Sequence, residues 1–154
     1  MLNESLLSMD KSKILEIIRN KITEKIQSFE HLIAETRASN NDTKSSMGDK
    51  YETGREMLQQ EINNLQRQLN ETLNQQSILQ KITSETSSKV QNGALVKTNK
   101  GLFYIAASIG EIVVDNQKIM TVSVESPLVK AMMGLQSGQN FSINNVNQTI
   151  EEIW

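Results

Sequence analysis

The sequence predicts an α+β protein: an N-terminal antiparallel helical hairpin, or coiled coil, followed by a small, mostly antiparallel sheet domain with one short helix. Three observations carry this expectation. Between about residues 10 and 82, apolar side chains recur at spacings of three and four, with one polar interruption near 39–56. A Ser/Thr-rich stretch then ends that periodicity. Beyond it, short apolar runs alternate with Asn- and Gly-containing turns, the pattern of hairpin strands. The expected organisation is a hairpin over 1–83 with its tip near 39–56, a linker over 84–93 and a sheet domain over 94–154.

Asp10 is placed to cap the first helix, and Ile14, Ile18, Ile22, Ile26, Phe29 and Ile33 follow on one face. This helix is expected to run to about Arg37, some 28 residues and roughly 40 Å at 1.5 Å per residue. After the polar stretch, Leu58, Ile62, Leu65 and Leu69 repeat by four, three and four, a heptad seam, with Leu73, Ile78 and Leu79 continuing the apolar side chains to Ile82. Two seams of similar length joined by a short polar connection pair most simply with each other. A homodimeric stalk would use the same residues.

In the second half, residues 94–98 and 102–107 read as strands around the turn Asn99-Lys100-Gly101. Residues 111–114 and 118–123 flank Asp115-Asn116-Gln117 as a second hairpin. Ser126-Pro127 is a helix start, with Ser as cap and Pro at the first helical position, and Gly134 suits a left-handed stop after Met133. Phe141–Ile143 and Thr149–Trp154 form a last hairpin around Asn144-Asn145.

Composition excludes several functions. With no cysteine there is no disulfide framework, zinc knuckle or thiol nucleophile. The 16 basic and 18 acidic residues leave a net charge of −2, so there is no global field to attract nucleic acid or an acidic membrane. The first residues lack a basic leader, and no window approaches the roughly 20 apolar residues of a membrane span. The expectation is a cytoplasmic protein that is not exported, has no membrane partner and is a monomer.

Chemistry concentrates at the tip. If the second helix begins near Gly48, Asp49 and Glu52 lie at i and i+3 on its first turn, where their carboxylates converge on one cation. The same residues also suit helix capping, since carboxylates are favoured at a helix N-terminus whatever else they do. His31, with only Glu30 and Glu35 near it in the chain, reads as a surface or seam residue.

Two stretches carry a family resemblance. Residues 119–139, including Glu125-Ser126-Pro127-Leu128-Val129-Lys130-Ala131-Met132-Met133-Gly134 and Ser137-Gly138-Gln139, resemble the strand, "SPLG-ALLG" helix and "K-GD" turn of the bacterial Gre transcript-cleavage factors (GreA/GreB-like). Gly48-Asp49-Lys50-Tyr51-Glu52 resembles that family's "GD-KEN" tip. Val129 stands where the family has Gly, Gln139 where it has an acid, and Tyr51-Glu52-Thr53-Gly54 where it has Lys-Glu-Asn-Ala, which marks a divergent branch.

The resemblance implies an FKBP-like sheet domain and a transcription elongation factor. Its hairpin would enter the secondary channel of RNA polymerase and stimulate cleavage of backtracked RNA. The factor is then not an enzyme itself. Asp49 and Glu52 would help hold Mg2+ at the polymerase active centre, with no cofactor bound in isolation. Arg37, Lys44, Lys50 and Arg55 are candidates for contact with the RNA 3′ end, and Tyr51 for stacking on a base. Pro127, Leu128, Met132 and Met133 are candidates for docking on the polymerase. The alternatives are a channel-binding regulator without cleavage stimulation, a coiled-coil adaptor, and an FKBP-like chaperone, although the few aromatics of the sheet domain argue against a lined proline pocket.

Overall fold

The structure, a computed structural model, describes residues 10–44 and 50–154, the side chains of 42–44 and 50–52 excepted. Its elements are α1 (Lys11–Lys44), α2 (Lys50–Gln80), β1 (Leu95–Thr98), β2 (Gly101–Ile105), β3 (Gly110–Val114), β4 (Gln117–Val122), α3 (Pro127–Met132), β5 (Asn140–Ile143) and β6 (Val146–Ile153). The fold is the α+β arrangement expected: two long helices, then six strands and one short helix. Two compact units divide the chain, one of Arg19–Ser77 and the other of Ile78–Trp154 with the N-terminal segment through Ile18.

Within the Arg19–Ser77 unit the two helices run antiparallel. Ile33 packs with Ile62 and Leu65, flanked by Phe29 and Leu69. The first helix reaches further into the polar stretch than the expected end near Arg37: Ser39–Lys44 belongs to α1, because Ser, Asn, Asp and Thr each cost a helix well under about 1 kcal/mol and no Gly or Pro precedes Gly48, while α2 opens at Lys50, close to the expected start near Gly48.

The seam of α2 also departs from the apolar pattern. From Leu58, Ile62, Leu65 and Leu69 it continues through Thr72, which is 2% exposed, to Leu79, while Leu73 and Ile78 are each more than 40% exposed. A 3.5-residue repeat after Leu69 arrives at 72, 76 and 79, so geometry selects a threonine over the leucine beside it. Thr72 satisfies its hydroxyl by donating to the Gln68 carbonyl at 2.8 Å. Gln75 buries its Oε1 there without a hydrogen-bond partner.

The sheet unit begins where α1 begins. Asp10 caps that helix, its Oδ1 accepting from Ser12 N at 2.9 Å. Lys13 Nζ lies 2.7 Å from Asp115 Oδ1, which puts the first turn of α1 beside the β3–β4 turn and raises the lysine pKa through that hydrogen bond and the carboxylate charge. The strand order is β3-β4-β2-β1-β6-β5. Four of the five pairings are antiparallel; β2 and β4 are parallel, Phe103 opposite Met120, because the chain first visits the edge strand β3 before returning.

Both outer hairpins close through two consecutive residues at positive φ, Asp115-Asn116 and Asn144-Asn145, the geometry of a type I′ turn, which Asn and Asp tolerate best. One sheet face is covered by α3 and the segment around Val90 and Ala94, which enclose Val96, Ile105, Val122, Met132, Phe141 and Ile150. The other presents Leu95, Tyr104, Ile112 and Ile119, all buried, as are Ile14, Leu15, Ile18 and Leu79 of the helix ends in the same unit. Residues 84–93, read from sequence as a linker, include the fully buried Val90, whose N–H donates to Leu135 O and whose carbonyl accepts from Gly134 N.

The seam yields a paired prediction. Gln75→Met, which keeps length and helix propensity while removing a buried acceptor, is expected to stabilise the protein by about 1 kcal/mol. Ile62→Ala should cost about 2–5 kcal/mol. Urea denaturation, with hydrogen exchange of α2 amides to localise the effect, checks both.

Candidate functional site

The tip is built by the helix ends. Lys44 closes α1 and Lys50 opens α2, so Glu52 falls in the first turn of α2, with Tyr51 before it. Their backbones are helical and their side chains are not described. Asp49, which directly precedes α2 in the chain, lies outside the described residues. The N-terminal end of a helix carries partial positive charge and favours carboxylates in its first turn.

Among the flanking cations, Arg37 is exposed on α1, with Nη2 donating to Gln66 Oε1 across the hairpin at a long 3.5 Å. Arg55 is half-buried near the start of α2. Both stand on the helices that approach the tip; of Lys44 and Lys50 only the backbone places them there. His31 is exposed and sits 3.0 Å from Glu35 as an i,i+4 pair, a surface arrangement. Among the described residues no three His, Asp or Glu side chains converge as a metal site, and no helix is long and apolar enough to cross a membrane.

The helix α3 is positioned as the Ser-Pro signal implies. Ser126 Oγ accepts from Val129 N at 3.2 Å, Pro127 occupies the helix start, and Gly134 takes φ 81° just beyond the end. Of the docking candidates on it, Pro127 is exposed, Met133 is 42% exposed and Leu128 is half-buried. Met132 is excluded from that role. It is fully buried in the core between α3 and the sheet, because on so short a helix residues 129 and 132 share the inward face.

One polar arrangement escaped the sequence reading. Lys11, the first residue of α1, is only 5% exposed, and its Nζ donates to Glu85 O at 2.7 Å and to the main-chain oxygen of Trp154 at 3.0 Å. Burial pushes its pKa below the ordinary lysine range. The available signal was the cation itself, placed at the positive end of a helix where an acidic or small polar residue is favoured.

No protein-family model matches the chain, and no curated protein matches it in sequence. Among solved structures it is similar to "the transcription factor Gfh1", at 13% identity over 88% of this chain and 92% of that one, with a TM-score of 0.37. It is also similar to the GreA factor homolog 1 (Gfh1) protein of Thermus thermophilus, at 17% identity over 88% and 94%, TM-score 0.37. Thermus aquaticus Gfh1 is a third, at 16% identity over 87% and 92%, TM-score 0.35. The likeness spans most of each chain at low identity and low TM-score.

The two adjacent methionines of α3 should behave oppositely. Met132→Ala is expected to cost about 2–5 kcal/mol by opening a cavity under the helix. Met133→Ala should stay within about 0.5 kcal/mol of the parent. Chemical denaturation of the two variants side by side checks the assignment of core and surface.

Proposed function

We propose that the protein is a Gre-like transcription factor that inserts its helical hairpin into the secondary channel of RNA polymerase and stimulates cleavage of backtracked RNA. The observation that carries this reading is the arm itself. Helices of 34 and 31 residues, about 51 Å and 46 Å long at 1.5 Å per residue, are joined through the five residues 45–49; in the sequence Asp49 directly precedes the second helix and Glu52 belongs to its first turn. An arm of that length ending in an acidic pair suits delivery of negative charge to a site that a globular surface cannot reach.

On this reading Asp49 and Glu52 supply oxygen ligands to a Mg2+ ion that polymerase carboxylates also hold. The metal supports attack of water on the phosphodiester and stabilises the leaving oxygen. Two carboxylates alone bind Mg2+ weakly, because the ion keeps most of its waters unless further ligands are offered, so the free protein is expected to show negligible Mg2+ affinity. Arg37, Lys44, Lys50 and Arg55 are the cations available near the tip to neutralise RNA phosphates. Of the docking candidates, Pro127 and Leu128 on α3 and Met133 just past its end have exposed surface to offer the polymerase.

A cleavage assay tests the proposal. RNA polymerase is halted in a backtracked complex with Mg2+, and transcript shortening is followed with wild type, with Asp49→Asn plus Glu52→Gln, and without factor. Wild type is expected to accelerate shortening, and the double variant to fall back to the level without factor while still competing with wild type for the polymerase. Binding without acceleration by wild type would replace the cleavage reading with that of a channel-binding regulator. No binding at all would leave an adaptor.

A further inference from the structure

We infer that Lys11 is a positioning residue: its side chain bolts the first turn of α1 to the end of strand β6 and to the loop that follows α2. The ammonium joins three segments remote in sequence. It stands at the first residue of α1 and donates to the carbonyl of Glu85, 74 residues away, and to the main-chain oxygen of Trp154, 143 residues away. That second oxygen also accepts from Leu95 N at 3.1 Å, while Trp154 N donates to Leu95 O at 2.8 Å. Lys11 therefore caps the last rung of the β1–β6 pairing.

The arrangement is costly for mere packing. A nearly buried cation at the positive end of a helix is disfavoured by desolvation and by the helix dipole, and its two partners are main-chain oxygens. An apolar side chain would fill the space but leave both oxygens without the lysine's hydrogen bonds. What the lysine adds is direction: two hydrogen bonds at 2.7 and 3.0 Å fix the first residue of α1 against two other segments of the same unit. The first turns of α1, through Ile18, belong with both partner segments to the sheet unit, so the bolt closes that unit on itself.

Hydrogen exchange on the full-length protein tests the bolt directly. Lys11→Met should accelerate exchange of the Leu95 and Trp154 amides at least tenfold while leaving the Ala106 amide, which donates to Val122 O at 2.8 Å in the middle of the sheet, within twofold of wild type. Unchanged protection at Leu95 and Trp154 would overturn the inference. Should Lys11→Met accelerate every amide alike, Lys11→Gln, which keeps one donor group, decides: a loss confined to Leu95 and Trp154 upholds the bolt, and a uniform loss refutes it. The positioning role rests on the proposed cleavage function. With the tip pair intact, Lys11→Met is expected to lower the maximal cleavage rate several-fold and leave the half-saturating factor concentration within twofold; the reverse split would overturn it. If wild type itself fails to stimulate cleavage, the cleavage reading falls while the exchange measurement still judges the bolt.

Discussion

A two-helix arm has no third element to cover its apolar stripe, so each helix must bury its stripe on the other, turn after turn. That mutual burial is the constraint on which the Arg19–Ser77 unit depends. On α1 the stripe passes through Leu15, Ile18, Ile22, Ile26, Phe29 and Ile33, at spacings of three, four, four, three and four. The two consecutive fours are a stutter, which locally relaxes the left-handed supercoil that a strict heptad imposes. On α2 the repeat stays strict and therefore passes through Thr72 and reaches position 76, a glutamine. Polar residues at seam positions contribute less to stability than leucine would, but they penalise other registers and other partners. In a hairpin whose exposed faces are rich in Asn and Gln, that penalty favours the intramolecular pairing.

The sheet unit solves a different problem, that of placing buried polar groups without leaving them unmet. Thr121 is 1% exposed, and its hydroxyl donates to Gly110 O at 2.6 Å while accepting from Ile109 N at 2.9 Å, which locks the entry to the edge strand β3. Thr98 and Gln148 are both buried and bond to each other at 2.9 Å beside the register shift between β1 and β6. The bulge breaks the ladder, and the side-chain pair compensates locally. Lys11 belongs to the same group of buried polar contacts, but it spans three segments rather than one ladder.

Much of this was legible in the sequence because local chemistry decided it. Type I′ turns need two residues that tolerate positive φ, and Asp115-Asn116 and Asn144-Asn145 announce them; Ser126, Pro127 and Gly134 bracket α3 for equally local reasons. The misreadings occurred where a longer-range geometry overruled composition. Leu73 continues the apolar pattern beyond the heptad seam, yet the repeat arrives at Thr72 and leaves Leu73 exposed. Residues 39–44 looked like loop because they are polar, yet helix continuation from a long preceding helix is cheap once nucleated. Met132 is a docking candidate only through the family resemblance, and a helix of six residues on a sheet turns about half of them inward, Met132 among them. Lys11 offers only one signal, a cation at the positive end of a helix, because its partners are main-chain oxygens and these carry no sequence signature.

The acidic tip joins two physical roles that elsewhere compete. Carboxylates at the start of a helix are stabilised by its partial positive charge and unmet N–H groups, so Asp49 and Glu52 suit the start of α2 whether or not a metal ever arrives. The same field weakens their attraction for a cation, and two carboxylates offer too few oxygens to fill the octahedral shell of Mg2+. On the proposed function, an arm so built travels without the metal and meets it only where a partner supplies the remaining ligands. On the proposed reading this explains why the chain invests in length and in a mutually buried seam rather than in a metal site of its own: the arm's contribution is position, and the chemistry belongs to the complex.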